Sequence, residues 1–316
     1  MKILFHANTL NYRGTSVAIA DYAHYNQEIL GNESVITYCK TYGPEKDMGN
    51  EQAVIDELEK KFKVVGYRAG DLEKKIDQEK VDLAYFIDSG ERKPLPTNCK
   101  TAVHAVFQYN QPHGDKYAYI SKWLSDEMSQ GQTPYVPHIV NLPPPGDTDL
   151  REFFMIRPDQ TVIGRMGGYY TFDIPGVKET IKKLLDTDKF VFAFLNTEPF
   201  VQHDNVMYFN ETHSPVKKSN FIHMCDAMLH ARGRGESFGL SIAEFLHFNK
   251  PVIAWNGGHD KNHLEMLKGS NTLYNNEDDL NYLLHNVKDI KEDWTQRVKE
   301  FNPKDVMKKF DEVFLC

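Results

Sequence analysis

Residues 236–244 read Glu-Ser-Phe-Gly-Leu-Ser-Ile-Ala-Glu, with a carboxylate at each end. An apolar run, Ala227-Met228-Leu229, and a short Arg232-Gly233-Arg234-Gly235 segment precede them, and Leu240, Ala243, Leu246 and Phe248 follow at helical spacing. This is the pattern of a strand, a tight loop and a helix, with the loop at the carboxyl edge of a parallel sheet. A helix start leaves several N–H groups unpaired and carries a partial positive charge, so an anion such as a diphosphate is stabilised there. Gly239 lets a ligand approach the backbone closely. With the helix starting near Ser237, Glu244 stands two turns in, roughly 12 Å along the axis from Glu236 at ~1.5 Å per residue. Carboxylates pair well with vicinal hydroxyls, which riboses and other sugars both carry. The plainer alternative is a first-turn acid favoured by the helix dipole and a second acid on a solvated face.

The alternation continues in both directions from this stretch. Residues 161–165, 190–194, 206–209, 227–231 and 252–255 read as strands, and residues 177–185, 216–225 and 238–248 as helices. Helical patterns then occupy 278–287, 291–301 and 303–314. In the N-terminal half, strands are expected at 2–6, 34–38, 63–65, 83–87, 101–107 and 117–120, and helices at 16–29, 54–61 and 121–128. Such alternation implies mostly parallel sheets covered on both faces. Between the halves, Pro143-Pro144-Pro145-Gly146 removes backbone donors and favours polyproline geometry, so neither a helix nor a central strand can cross it. The expected fold is α/β, with two Rossmann-like βαβ domains facing across a cleft. Residues 1–145 form the first, residues 146–302 the second, and residues 303–316 a final helix.

Composition narrows the function. The 316 residues are 41% hydrophobic and 26% charged, which is globular, and a net charge of −8 argues against a nucleic-acid partner. Four well-separated cysteines form no Cys-x-x-Cys pair and fit a reducing compartment. The N-terminus has no signal-peptide pattern and no apolar run approaches membrane-spanning length, so the expected location is cytoplasmic. Peripheral membrane contact is compatible with the sequence but nothing indicates it.

Candidate site residues lie at the predicted strand ends. Arg165, flanked by glycines in Ile163-Gly164-Arg165-Met166-Gly167-Gly168, can donate to a phosphate in bidentate fashion or sit in a surface ion pair. Lys178 is a second cation, one turn into the next helix, and can equally be solvated. Gly14 lies in the loop that follows the first strand, which either borders a ligand or is an ordinary strand-to-helix connection. This loop is neither a dinucleotide fingerprint nor a Walker loop. His104, near a strand's end, is either functional or a structural strand histidine.

Together, Gly164-Arg165, Asp226-Ala227-Met228-Leu229, Glu236-Ser237-Phe238-Gly239-Leu240 with Glu244, and Lys250-Pro251-Val252-Ile253-Ala254 before Gly257-Gly258 resemble the C-terminal domain of retaining GT-B glycosyltransferases of the GT4 type. The similarity covers about residues 160 to 268. It implies that Glu244 holds the ribose hydroxyls of a nucleotide sugar and that Glu236 meets the transferred sugar. Arg165 would bind the diphosphate with the backbone N–H groups of the Phe238-Gly239-Leu240 turn. His104 would face the donor sugar from the other domain, and the Gly14 loop would border the phosphates and the acceptor. The final helix would pack back on the first domain. No Asp-x-Asp motif occurs, so no metal and no cofactor is expected. His259 and His263 have helix-compatible ligand spacing but no third ligand. The sequence departs from the family where a lysine usually follows the arginine by five residues: Tyr170 stands there, leaving Lys178 or Arg234 as substitutes. A Pro-Ser pair is also replaced, by His230-Ala231-Arg232. The expected activity is transfer from a nucleoside diphosphate sugar, UDP-linked ahead of GDP-linked, to a glycan or other hydroxyl acceptor. A nucleotide-sugar epimerase of similar fold and a non-catalytic nucleotide-sugar-binding protein are the alternatives.

Overall fold

The computed structural model describes residues 1–41 and 49–316. The chain forms two compact units, Met1–Ile139 with Phe301–Cys316, and Val140–Glu300. The first unit thus ends before the proline run, not at residue 145.

The first unit contains β1 (Lys2–Ala7), α1 (Gly14–Glu28), β2 (Glu33–Thr41), α2 (Gln52–Glu59), β3 (Lys63–Arg68), α3 (Leu72–Glu79), β4 (Leu83–Asp88), β5 (Lys100–Ala105), β6 (Lys116–Tyr119) and α4 (Lys122–Ser129). The six strands are parallel, in the order β3-β2-β1-β4-β5-β6. Every residue of β4 is buried, which is why its Leu-Ala-Tyr-Phe-Ile run shows no polar alternation. Helix α3 was not expected, because Ile76 is its one buried residue and the rest of its pattern is nearly all charge.

The second unit contains α5 (Leu150–Phe153), β7 (Thr161–Met166), α6 (Val177–Leu185), β8 (Phe190–Leu195), β9 (Val206–Phe209), α7 (Pro215–Met224), β10 (Ala227–His230), β11 (Gly235–Glu236), α8 (Leu240–His247), β12 (Val252–Trp255), β13 (Asp260–Lys261), α9 (Asn262–Met266), β14 (Leu273–Tyr274) and α10 (Glu277–Asn286). Its main sheet runs β14-β12-β10-β7-β8-β9, and β11 pairs separately with β13. Helix α6 buries Val177, Ile181, Leu184 and Leu185 at helical spacing against Phe192 and Phe194 of β8. Gly164 lets β7 pass the end of α7, since a Cβ there would lie 2.4 Å from Cys225 Sγ.

Two predicted helices change form. The pattern over residues 291–301 splits into 3₁₀ turns at Trp294–Arg297 and Lys299–Phe301. Tertiary bonds override the periodicity: Trp294 N donates to Asn249 Oδ1 at 2.9 Å, and Arg297 Nη1 donates to the Met266 and Lys268 carbonyls at 3.0 Å each. The last helix, α11 (Pro303–Phe310), ends in a single wider turn over Asp311–Leu315. Asn302 caps it and Pro303 occupies its first turn, where a missing N–H costs nothing. Phe310 stacks on Tyr22 at 5.3 Å and packs on Tyr85 at 5.1 Å, and such burial stabilises by roughly 1.5–3 kcal/mol.

Candidate active site

In both sheets the strand order reverses between two central strands, and it is outside the carboxyl ends of such strands that α/β sheets bind ligands. In the second unit those strands are β7, ending at Arg165-Met166, and β10, ending at His230. A narrow pocket of ≈ 10 Å³, room for one water, lies there, lined by Arg165, Met166, Gly167, Thr171, residues 228–232 and Glu236.

Arg165 is 4% exposed. Its Nη1 donates to Asn196 O at 2.7 Å and Thr197 Oγ1 at 2.6 Å, and its Nη2 to Gly168 O and Thr171 Oγ1 at 2.8 Å each. Burial pushes this guanidinium down to about 10, with the opposed fields of Glu236 and Arg232 acting on it. Gly167 must be small here, because a Cβ would lie 2.9 Å from Nη2. Bidentate donation to a phosphate, as expected from the sequence, would have to displace these bonds. All four terminal protons of Arg165 instead brace the loops that follow β7 and β8.

Glu236 sits in β11, where Gly235 adopts φ 78° against β13. A Cβ at Gly235 would lie 2.0 Å from Asp260 O, so only glycine allows this approach. The carboxylate accepts from His230 Nε2 at 3.3 Å and from Arg232 Nη1 at 2.9 Å. Burial alone would raise its pKa, but the hydrogen bond from His230 and the fields of His230, Arg232 and His263 outweigh that and hold it below the usual carboxylate range. The His263 ring lies 5.0 Å from that of His230 and is pushed down to about 4 by burial, with His230 adding to the effect. Its Nε2 donates to Trp255 O at 3.2 Å. Among the described residues the buried Nδ1 atoms of both histidines have no hydrogen-bond partner.

Helix α8 begins at Leu240, later than expected, because Gly239 at φ 91° cannot be part of a right-handed helix. The buried Phe238 precedes it, and its carbonyl accepts from Asn262 Nδ2 at 2.7 Å. Its N-cap residue, Gly239, has no side chain with which to cap the first turn. Glu244 consequently stands about one turn in, roughly 6 Å along the axis from Leu240, and not two turns. It is 3% exposed and ion-paired with Lys218 of α7, a partner that sequence reading missed because it comes from a different helix.

Lys178 does not line this pocket, and Gly14 and His104 belong to the first unit. Lys178 lies over the Phe200 ring, 5.3 Å from its centroid. Gly14 is the exposed first residue of α1 in the first unit. His104 has no exposed surface. Its Nε2 faces the Val136 carbonyl at 2.8 Å and that of Tyr119 at 3.2 Å, so it carries the proton, and Nδ1 accepts from Tyr85 OH at 2.5 Å. Burial pushes it down to about 4. With both nitrogens engaged inside the core, His104 is a structural histidine, which corrects its expected role toward a donor sugar. Among the described residues no group of three or more His, Cys, Asp or Glu could hold a metal ion, and no helix is long and apolar enough to cross a membrane.

No family model matches the chain, and no curated protein matches it significantly in sequence. Solved structures do match it in shape. HepE of Anabaena, in complex with UDP, is similar with a TM-score of 0.69 at 14% identity, covering 99% of each chain. Sucrose-phosphate synthase of Thermosynechococcus elongatus is similar with a TM-score of 0.68 at 12% identity, covering 99% of this chain and 98% of that one. The fold is GT-B. The same GT-B fold extends to a candidate UDP-N-acetylglucosamine 2-epimerase of Listeria monocytogenes, with a TM-score of 0.60 at 11% identity over 98% of this chain and 94% of that one.

Proposed function

We propose that this chain is a glycosyltransferase that moves a sugar from a nucleoside diphosphate sugar to a hydroxyl acceptor with retention of anomeric configuration. The observation that carries the reading is the carboxylate of Glu236, clamped by His230 and Arg232 at the second sheet's switch point and followed within four residues by the start of α8, whose N-cap is a glycine. In this reading Glu236 accepts hydroxyls of the transferred sugar. The N–H groups of the first turn of α8 receive the diphosphate, and Glu244, held by Lys218, accepts the ribose hydroxyls. The HepE structures with UDP-glucose and with UDP favour a uridine donor.

The chemistry asks most at the leaving group. As the glycosyl–phosphate bond breaks, negative charge grows on the nucleoside diphosphate, and preorganised donors stabilise it. The acceptor hydroxyl attacks the anomeric carbon from the face that phosphate leaves, and a phosphate oxygen takes the hydroxyl proton. The new C–O bond replaces the old one, so no protein nucleophile is needed. An epimerase reading, favoured by the Listeria likeness, would eliminate and re-add the nucleotide without an acceptor.

Incubation with a panel of nucleotide sugars, followed by NMR in the presence of a chelator, tests the proposal. Transfer or slow donor hydrolysis with the anomeric configuration kept is the expected result. Isomerised donor would establish the epimerase, and binding without turnover would remove catalysis altogether.

A further inference from the structure

A nucleoside diphosphate needs a cation, and the cations of the second unit near this site are mostly engaged. The terminal nitrogens of Arg165 are bound to four protein oxygens. Lys218 neutralises Glu244, Lys178 covers Phe200, and Arg234 Nε donates to the buried Asp260 at 2.8 Å. Tyr170, where the GT4 resemblance places a lysine, is 74% exposed and carries no charge. Arg232 is different. It lines the same pocket as Arg165 and Glu236, its side chain is 30% exposed, and among the described residues only Nη1 has a partner, the Oε2 of Glu236 at 2.9 Å. Both guanidinium groups line the pocket with one carboxylate, Glu236, and the field of the nearby Asp173, which accepts from Gly233 N at 2.6 Å, also reaches Arg165.

Resting on the proposed function above, we infer that Arg232 is the cation that contacts the donor diphosphate, its Nε and Nη2 donating to phosphate oxygens while Nη1 stays on Glu236. One planar fork then links the phosphates to the carboxylate that holds the sugar. A guanidinium suits this task and an ammonium does not, because only the former presents donors in two fixed directions. Donor recognition is thereby coupled: placing the diphosphate also fixes the group that selects the sugar.

Calorimetric titration of UDP and of uridine into wild type, Arg232→Gln and Arg232→Lys tests this. Gln keeps a donor toward Glu236 but removes the charge, so UDP affinity should fall roughly ten- to a hundredfold while uridine affinity is unchanged. Lys should recover part of the loss. If wild type prefers UDP strongly over uridine and Arg232→Gln keeps that preference within about threefold, Arg232 merely orients Glu236 and the inference is overturned. If wild type itself shows no preference for UDP, the nucleotide-sugar reading fails first. Should Arg232→Gln not fold, Arg232→Lys decides alone, and UDP affinity unchanged from wild type would overturn the assignment.

Discussion

The two sheets have the same strand order, so each has one switch point, yet the groups gathered there differ. In the first unit β1 ends at His6-Ala7 and β4 at Asp88. Asp88 pairs with Lys93 and also accepts from Ser89 N at 2.7 Å, and His6 Nε2 is bonded to Tyr67 OH at 2.7 Å. Burial, with the nearby Lys93, pushes His6 down to about 3, so it is neutral. The charges of Asp88 and Lys93 there offset each other. At the second switch point Arg232 pairs with Glu236, Arg165 lines the same pocket with its terminal nitrogens on four protein oxygens, and α8 starts close by in sequence after Gly239, which has no side chain to cap it. The same topology therefore carries an ion pair at one edge and, at the other, a guanidinium with donors unengaged among the described residues, and side-chain partnering makes the difference.

Acidification should separate the units most strongly. The first unit holds three buried neutral histidines: His6 and His138 pushed down to about 3, and His104 to about 4, in each case chiefly by burial. In the second unit His263 is pushed down to about 4. Between these values and an unfolded pKa of about 6.5 the unfolded chain binds more protons, so stability falls as pH drops through that window. From pH 7 to pH 5 the loss is about 2 kcal/mol per histidine at most. Urea unfolding followed by Trp123 in the first unit and by Trp255 and Trp294 in the second should show the first unit weakening more. Equal losses in both would break the contrast.

Arg165→Met probes the brace. Four acceptors lose their donor, so unfolding free energy should drop by roughly 3 kcal/mol or more in a thermal or urea melt. A variant as stable as wild type would return Arg165 to the role of a free phosphate ligand.

Two carboxylate substitutions sharpen the division of labour within the second site. Glu236→Gln should lower turnover roughly a hundredfold with UDP affinity nearly intact, because its proposed contact is to the sugar and not to the nucleotide. Glu244→Ala should weaken UDP binding itself, roughly ten- to a hundredfold. Unchanged UDP affinity in Glu244→Ala would remove that residue from the nucleotide site.

Much of this was legible from local pattern. Apolar runs and helical spacing predict nearly every central strand and the helices α6, α7 and α8, because these depend on neighbours in sequence. Glu236 was also legible, through its motif. Arg232 could have been found: a base four residues before that glutamate, standing where the family pattern has Pro-Ser, was a visible signal. The roles expected of His104 and Arg165 were not readable, since Tyr85, Val136, Asn196 and Thr197 lie 19 to 32 residues away along the chain.

Sequence by itself determined the α/β alternation, the glycines at which the backbone turns, and the presence of an acid at each end of residues 236–244. Only the tertiary structure decided which charges remain open. Lys218 reaches Glu244 from another helix, Arg165 is engaged on all four terminal protons, and Arg232 is left with donors to offer. The physical reason is range. Backbone conformation responds to neighbouring residues, whereas the availability of a buried charge depends on every group that folding brings within hydrogen-bond reach.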